Sequence, residues 1–225
     1  PRSTLFPYTT LFRSVDGNIA LVFEAMGHGA LDAVNTPVLG LDGQLSGAKE
    51  LLAKINIVGH LIDRPAAAST LSGAGDASAA TRAKMPPLVA LGASTGGPGA
   101  LAEILAQYRG DQDAAWVIVQ HVDQQFAPDL AAWLGSHSAL PVRVAQPGDH
   151  PQPGQILLAG SNDHLALSPN GALDYRAEPR ECYYRPSVDV FFKSVAEHWR
   201  ARGVAALLTG MGRDGAMELR EMKDQ

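Results

Sequence analysis

Three residues of this sequence have the types that let a hydroxyl act as a nucleophile: Ser94, His121 and Asp214. A serine hydroxyl attacks a carbonyl poorly until a base takes its proton. Histidine suits that task because its unperturbed pKa is near roughly 6.5. A carboxylate can fix the imidazole tautomer and stabilise the imidazolium. Ser94 lies within Gly92-Ala93-Ser94-Thr95-Gly96, which fits the G-x-S-x-G pattern of a nucleophile elbow. In that geometry a sharp strand-to-helix turn holds the serine hydroxyl clear of the sheet, and Thr95, directly after it, is a candidate oxyanion donor. The start of the following helix offers further free N–H groups to a developing negative charge. An anion-binding loop is the competing reading of the same turn. A Walker-type loop is disfavoured because no Gly-Lys-Ser/Thr follows. Gly92 and Gly96 also have the wrong spacing for a dinucleotide fingerprint.

The three residues are far apart in the chain, so the fold must gather them. Residues 88–93 read as a buried strand. A helix is predicted over 100–108, with Leu101, Ile104, Leu105 and Tyr108 on one face. A second buried strand spans 114–120 and runs directly into His121, followed by a helix over 126–136. Short strands follow at 142–144 and 156–159. Apolar runs at 164–167 and 173–175 flank Pro169-Asn170-Gly171, a β-hairpin signal. Ser187 reads as an N-cap, with Asp189 in the first turn, for a helix to about residue 202. A strand at 204–208 ends in the loop Thr209-Gly210-Met211-Gly212-Arg213-Asp214-Gly215, and a last helix starts near Ala216.

Strands alternating with helices predict an α/β fold: a doubly wound, mostly parallel sheet with helices on both faces, plus the small hairpin. Right-handed crossovers put all strand C-terminal ends at one edge, where ligands of open α/β sheets bind. Ser94, His121 and Asp214 each fall just past a buried strand and therefore reach that edge. Their chain order, Ser-His-Asp, differs from the Ser-Asp-His order of α/β-hydrolases.

Composition narrows the function classes. The chain has 225 residues, 46% hydrophobic and 18% charged, enough for one sizeable domain and a piece of another. The net charge is −5 and no basic patch stands out, which argues against nucleic acid as a partner. Cys182 is the single cysteine, so no intrachain disulfide can form, which suits a reducing cytoplasm. No apolar run approaches a membrane span, so direct membrane insertion is not expected. Nor does the N-terminus have the layout of a signal peptide. Residues 1–14 match nothing that follows and read as a non-native leader, a translated adapter fused to a broken gene. Residues 15–61 read as the end of a small α/β domain: a helix over 19–26 closing at Gly27-His28-Gly29, a strand over 30–34 and a helix over 48–61. Residues 62–85, rich in Ala, Ser, Gly and Thr, read as a flexible linker, and 86–225 as the main domain. His60, His137, His150 and His198 read as surface or helix-end residues, and His164 lacks neighbours with metal-site spacing.

Taken together, Gly92-Ala93-Ser94-Thr95-Gly96-Gly97, Gln120-His121, Arg185-Pro186-Ser187-Val188-Asp189 and Leu208-Thr209-Gly210-Met211-Gly212-Arg213-Asp214-Gly215 resemble the chemotaxis protein-glutamate methylesterase (CheB) family. The resemblance implies hydrolysis of glutamate γ-methyl esters on the cytoplasmic helices of chemoreceptors, with release of methanol, and deamidation of receptor glutamines. It implies Ser94 as nucleophile, His121 as base and Asp214 as orienting acid, with no metal or organic cofactor. Met211 matches the methionine of the family's Gly-Met-Gly loop and is a second oxyanion candidate, while Arg185 is a candidate for lining the cleft. The segment from Glu24 to Val34 resembles the last third of a response-regulator receiver domain, but Asn35-Thr36 stands where a lysine usually precedes Pro37. The strands that would carry the phosphate-accepting aspartate are not in this chain, so a histidine kinase would act only through that missing portion. Val122-Asp123-Gln124-Gln125-Phe126 replaces the family's common Met-Pro-Pro-Gly-Phe, which looks more like the branch that controls surface attachment. Family members continue beyond the point corresponding to Gln225, so the catalytic domain is expected to be truncated there.

Overall fold

The computed structural model describes residues 19–28, 30, 33, 38–39, 45–46, 52, 85–110, 113–209 and 213–223. The leader read over 1–14, all but the last residue of the linker and most of the helix expected over 48–61 lie outside the described residues. Helix α1 (Ile19–Gly27) forms as its periodicity predicts. The N–H groups of His28 and Ala30 close its last turn on the carbonyls of Glu24 and Ala25. Ala30 and Ala33 are therefore not in the strand expected over 30–34, since the helix end occupies the first donor of that segment. A two-residue antiparallel ladder follows, β1 (Val38–Leu39) with β2 (Leu45–Ser46).

The main domain runs β3 (Leu88–Ala93), α2 (Gly97–Gln107), β4 (Ala115–Gln120), α3 (Ala127–Ser136), β5 (Val142–Val144) and β6 (Ile156–Leu158). It continues with β7 (His164–Leu167), β8 (Leu173–Arg176), α4 (Val188–His198), β9 (Gly203–Leu207) and α5 (Ala216–Lys223). Five strands form one parallel sheet in the order β5-β6-β4-β3-β9, and β7 pairs β8 as the expected antiparallel hairpin. Helix α2 starts at Gly97, earlier than its apolar pattern suggests, because Pro98 fits the first turn and Gly96 takes φ 76° before it. Helix α4 stops at His198 instead of near residue 202. Trp199 is extended there and buried, and this turns the chain back toward β9.

Both faces of the sheet are covered over β3, β4 and β6, and the period-2 alternation of side chains divides them; β9, expected as a buried strand, is an edge strand with Gly203 and Val204 exposed. Leu91, Ala93, Trp116, Ile118, Ile156 and Leu158 face a core shared with α2 and α3. Leu88, Ala90, Val117, Val119 and Leu157 face a second core with Phe191 and Phe192 of α4 and Leu165, Leu167 and Leu173 of the hairpin. Helix α1 packs on the outside of α2 and α3. Its Val22, Phe23 and Met26 are buried, and the Phe23 ring stacks on Trp133 at 5.9 Å. A Cβ at Gly99 would meet the Met26 carbonyl at 3.0 Å, so the first turn of α2 is small where α1 crosses it.

Gly92 lies against Val188 of α4, and a Cβ added there would overlap Val188 Cγ1 and press on Leu207 Cδ1 at 3.2 Å. Gly92→Ala is therefore expected to destabilise the domain by about 1–3 kcal/mol through overpacking. In urea denaturation, Gly92→Ala combined with Val188→Ala should be less destabilised than the sum of the two single variants; strict additivity would show that the two positions do not press on each other.

Candidate active site

Each of the three groups sits at the end of a parallel strand, and the strands are neighbours. Strand β3 delivers Ser94 from the middle, β4 delivers His121 on one side, and the loop after β9 delivers Asp214 on the other. The turn at Ser94 is closed by Gly97 N–H donating to the Ser94 carbonyl at 2.7 Å. The Ser94 N–H donates to the Thr209 carbonyl at 3.0 Å, so the elbow is stitched to the end of β9. His121 N–H donates to the Ala93 carbonyl at 3.0 Å, extending the β3–β4 ladder by one step. The buried Gln120 side chain adds a second tie, donating from Nε2 to the carbonyls of Ser94 at 2.9 Å and His121 at 3.1 Å.

The side chains then meet in line. Ser94 Oγ lies 3.0 Å from His121 Nδ1, and His121 Nε2 lies 2.7 Å from Asp214 Oδ2. Asp214 sits at the N-terminus of α4, where it accepts from Ser187 Oγ at 2.6 Å and from the N–H groups of Val188 at 2.6 Å and Asp189 at 3.2 Å. Burial works to raise the Asp214 pKa, but the bonds from His121, Ser187, Val188 and Asp189 outweigh it and hold the carboxyl below the usual carboxylate range. An ionised carboxylate only accepts, so the proton on Nε2 points at Asp214 and the lone pair of Nδ1 faces the Ser94 hydroxyl. This is the orientation a general base requires.

The Tyr184 ring lies flat on the His121 imidazole, with centroids 4.2 Å apart and planes 5° from parallel, and Tyr183 meets Tyr184 edge-on. Burial, with Tyr183 and Asp214 nearby, pushes the Tyr184 phenol up, so it stays neutral over the imidazole. A cleft of about 170 Å³ opens beside Ser94 and His121, lined also by Val188, Leu207, Leu208 and Thr209. That volume suits one small ester side chain and falls short of the several hundred Å³ of a drug-sized pocket. The Thr209 hydroxyl is buried on this cleft without a hydrogen-bond partner among the described residues.

The remaining site expectations divide. Thr95 occupies the turn immediately after Ser94. Met211 lies outside the described residues. Arg185 is not among the cleft-lining residues; its guanidinium donates to the Arg180 carbonyl at 2.7 Å. Cys182 lies near the site, but burial first, and then the charges of Asp214 and Glu181, push its thiol up and away from the reactive thiolate. Sequence reasoning named Gln120 within the Gln120-His121 motif without reading its tie to Ser94, and missed Tyr184; both roles come from strand adjacency and a ring contact that no spacing encodes. For Ser187 the signal was present: an N-cap serine marks a helix N-terminus, and such a terminus holds an anion.

A serine, a histidine and a carboxylate hydrogen-bonded in line at the strand ends of a doubly wound sheet are the arrangement that serine hydrolases use. The family model of CheB methylesterase matches residues 89–225, and the chain belongs to that family. It is 51% identical over 212 residues to protein-glutamate methylesterase/protein-glutamine glutaminase 4 of Burkholderia thailandensis, covering 93% of this chain and 60% of that protein. It is likewise 51% identical over 211 residues to protein-glutamate methylesterase/protein-glutamine glutaminase 3 of Pseudomonas aeruginosa, covering 94% of this chain and 62% of that one. The chain thus spans about three-fifths of the length of these curated relatives. Among solved structures it is similar to the Thermotoga maritima CheB methylesterase catalytic domain, with TM-score 0.56 and 33% identity over 61% of this chain and 76% of that one.

Because its folded-state pKa is lowered, Asp214 contributes stability that is complete above the ordinary carboxylate pKa and is lost as pH falls through the lowered value. Asp214→Asn should therefore lose its stability deficit against the parent as the solution is acidified through the carboxylate range. Urea denaturation at stepped pH checks this; a deficit that stays constant would mean that the carboxylate is not stabilised in the fold.

Proposed function

We propose that this chain hydrolyses glutamate γ-methyl esters on the cytoplasmic helices of methylated chemoreceptors, releasing methanol, and deamidates glutamine at the same kind of position. The observation that carries the reading is the hydrogen-bonded line Ser94 Oγ–His121 Nδ1–His121 Nε2–Asp214, with contacts of 3.0 and 2.7 Å. The names of the relatives at 51% identity support the substrate class.

In this mechanism Nδ1 takes the Ser94 proton as Oγ attacks the ester carbonyl. Asp214 compensates the imidazolium that forms. The imidazolium then returns its proton to the departing methoxide, and an acyl-enzyme remains. Water, deprotonated by the same Nδ1, attacks that ester, and the imidazolium gives its proton to the departing Ser94 Oγ, which frees the glutamate and restores the hydroxyl. The oxyanion needs donors that are not already in use. Ser94's own N–H is committed to Thr209; the elbow geometry makes the N–H of Thr95 one candidate donor, and the family resemblance makes that of Met211 another. Loss of one such donor costs roughly 3 kcal/mol of transition-state stabilisation. Deamidation follows the same steps with ammonia leaving, and is slower because an amide nitrogen is the poorer leaving group.

We further propose that the chain works in the cytoplasm. This fits a substrate on the cytoplasmic part of a receptor, and no helix among the described residues is long and apolar enough to cross a membrane.

Methanol release from methylated receptor helices tests the reading. Ser94→Ala and His121→Ala should each lower kcat by roughly 10⁴-fold or more, and Asp214→Asn by about 10⁴-fold. Undiminished turnover by Ser94→Ala would overturn the serine mechanism. Turnover of small esters alone would move the substrate to another class.

A further inference from the structure

The polar contacts behind Asp214 continue past Ser187. The Ser187 N–H donates to His164 Nδ1 at 3.1 Å, and His164 Nε2 is 3.0 Å from the Pro179 carbonyl. Both side chains are sealed from solvent, His164 at 0% exposure and Ser187 at 1%. Accepting an N–H at Nδ1 requires a lone pair there, so the His164 proton is on Nε2 and is donated to Pro179. His164 is the first residue of β7. Its neighbours on that strand, Leu165, Ala166 and Leu167, are apolar and fully buried. A buried imidazole costs free energy unless both nitrogens are satisfied, and packing alone would be served by another aliphatic residue. Here both are satisfied, and one of them by the residue that caps α4 against Asp214.

The geometry is specific at each step. Ser187 Oγ donates to Asp214 Oδ1 at 2.6 Å while accepting the Val190 N–H at 3.3 Å, and Asp214 Oδ2 accepts from both the Val188 N–H and His121 Nε2. Strand β7 is tied to α4 a second time where the Leu167 N–H donates to Ser194 Oγ at 2.8 Å. The N-terminus of α4 therefore cannot shift without breaking contacts to the hairpin.

We propose that His164 and Ser187 are positioning residues for the triad: His164 holds the Ser187 backbone so that the Ser187 hydroxyl and the N–H groups of Val188 and Asp189 converge on Asp214, which in turn orients His121. The inference rests on the esterase reading above, in which Asp214 is the partner of the base. The terminal carboxylate torsion is soft on its own. Without the relay, Asp214 rotates, its bond to His121 lengthens, and Nδ1 no longer meets the Ser94 hydroxyl in one fixed orientation.

The test uses the 225-residue chain with His164→Leu, His164→Asn, Ser187→Ala and Ser187→Thr. Asparagine keeps an acceptor near the Nδ1 position, and threonine keeps the hydroxyl. His164→Leu and Ser187→Ala should lower kcat by roughly 10- to 100-fold with little change in KM, as misplacement of a reacting group does. His164→Asn and Ser187→Thr should recover most of that loss. Proton NMR of histidine-labelled protein adds a readout that needs no turnover. The deshielded His121 Nε2–H resonance should be sharp in the parent, broadened or shifted upfield in the Leu and Ala variants, and restored in the conservative pair. Thermal unfolding separates loss of fold from loss of alignment; if His164→Leu does not fold, the Ser187 pair decides. An unchanged resonance with kcat within about twofold of the parent would reduce both residues to structural roles and overturn the inference. If Ser94→Ala also retains turnover, the esterase reading fails instead, while the resonance still reports on the relay.

Discussion

The carboxylate of Asp214 at the N-terminus of α4 is the interaction on which the site depends. Burying an ion costs several kcal/mol unless its lone pairs are satisfied. Here four donors from two segments satisfy them: His121, and the Ser187 hydroxyl with the N–H groups of Val188 and Asp189. Two of these are backbone N–H groups that a helix start leaves unpaired, so the carboxylate solves the helix's capping problem while the helix solves the carboxylate's desolvation problem. The ionised state follows, and from it the tautomer of His121 and the direction of its lone pair toward Ser94.

That carboxylate reaches α4 only because the loop after β9 can pass close beneath it. Gly215 takes φ 89°, and a Cβ there would meet Val188 Cγ1 at 2.6 Å. Gly92 faces the same Val188 from β3. The second core thus wedges one valine between two glycines, one beside the nucleophile turn and one beside the acid. Asp189 adds a brace from the same helix turn, its Oδ1 accepting the Glu218 N–H at 3.2 Å at the start of α5. Apart from Val188, which lines the cleft, the Arg-Pro-Ser-Val-Asp segment serves the site from behind: its backbone and side chains hold Asp214 and the helix that follows it.

The placement of the nucleophile on the middle strand of β4-β3-β9 explains how three distant residues meet without strain. In a parallel sheet neighbouring strand ends lie about 4.8 Å apart, so Ser94 and His121, directly beyond β3 and β4, are within side-chain reach, while the loop after β9 brings Asp214 to His121 by docking on the start of α4. The extra ties at that edge, Gln120 to the carbonyls of Ser94 and His121 and Ser94 N–H to Thr209, hold the strand ends in register. They also commit the nucleophile's own N–H to the Thr209 carbonyl.

Much of this was legible in the chain alone. Short continuous apolar runs marked β3, β4, β6, β7 and β9, and a glycine-flanked serine, a histidine and an aspartate beyond three of those runs marked the site, because secondary structure and strand polarity are written in short-range patterns. Boundaries were less legible: α4 ends at His198 because a buried Trp199 and the return to β9 override its periodicity. What only the tertiary structure decided was the strand order, the choice of Nδ1 as the nitrogen facing Ser94, the stacking of Tyr184 on His121, and the joining of His164 to Asp214 through Ser187. Each of these is a contact between segments distant in sequence. It is fixed by which groups share a face and satisfy one another's hydrogen bonds, and neither composition nor spacing along the chain encodes that.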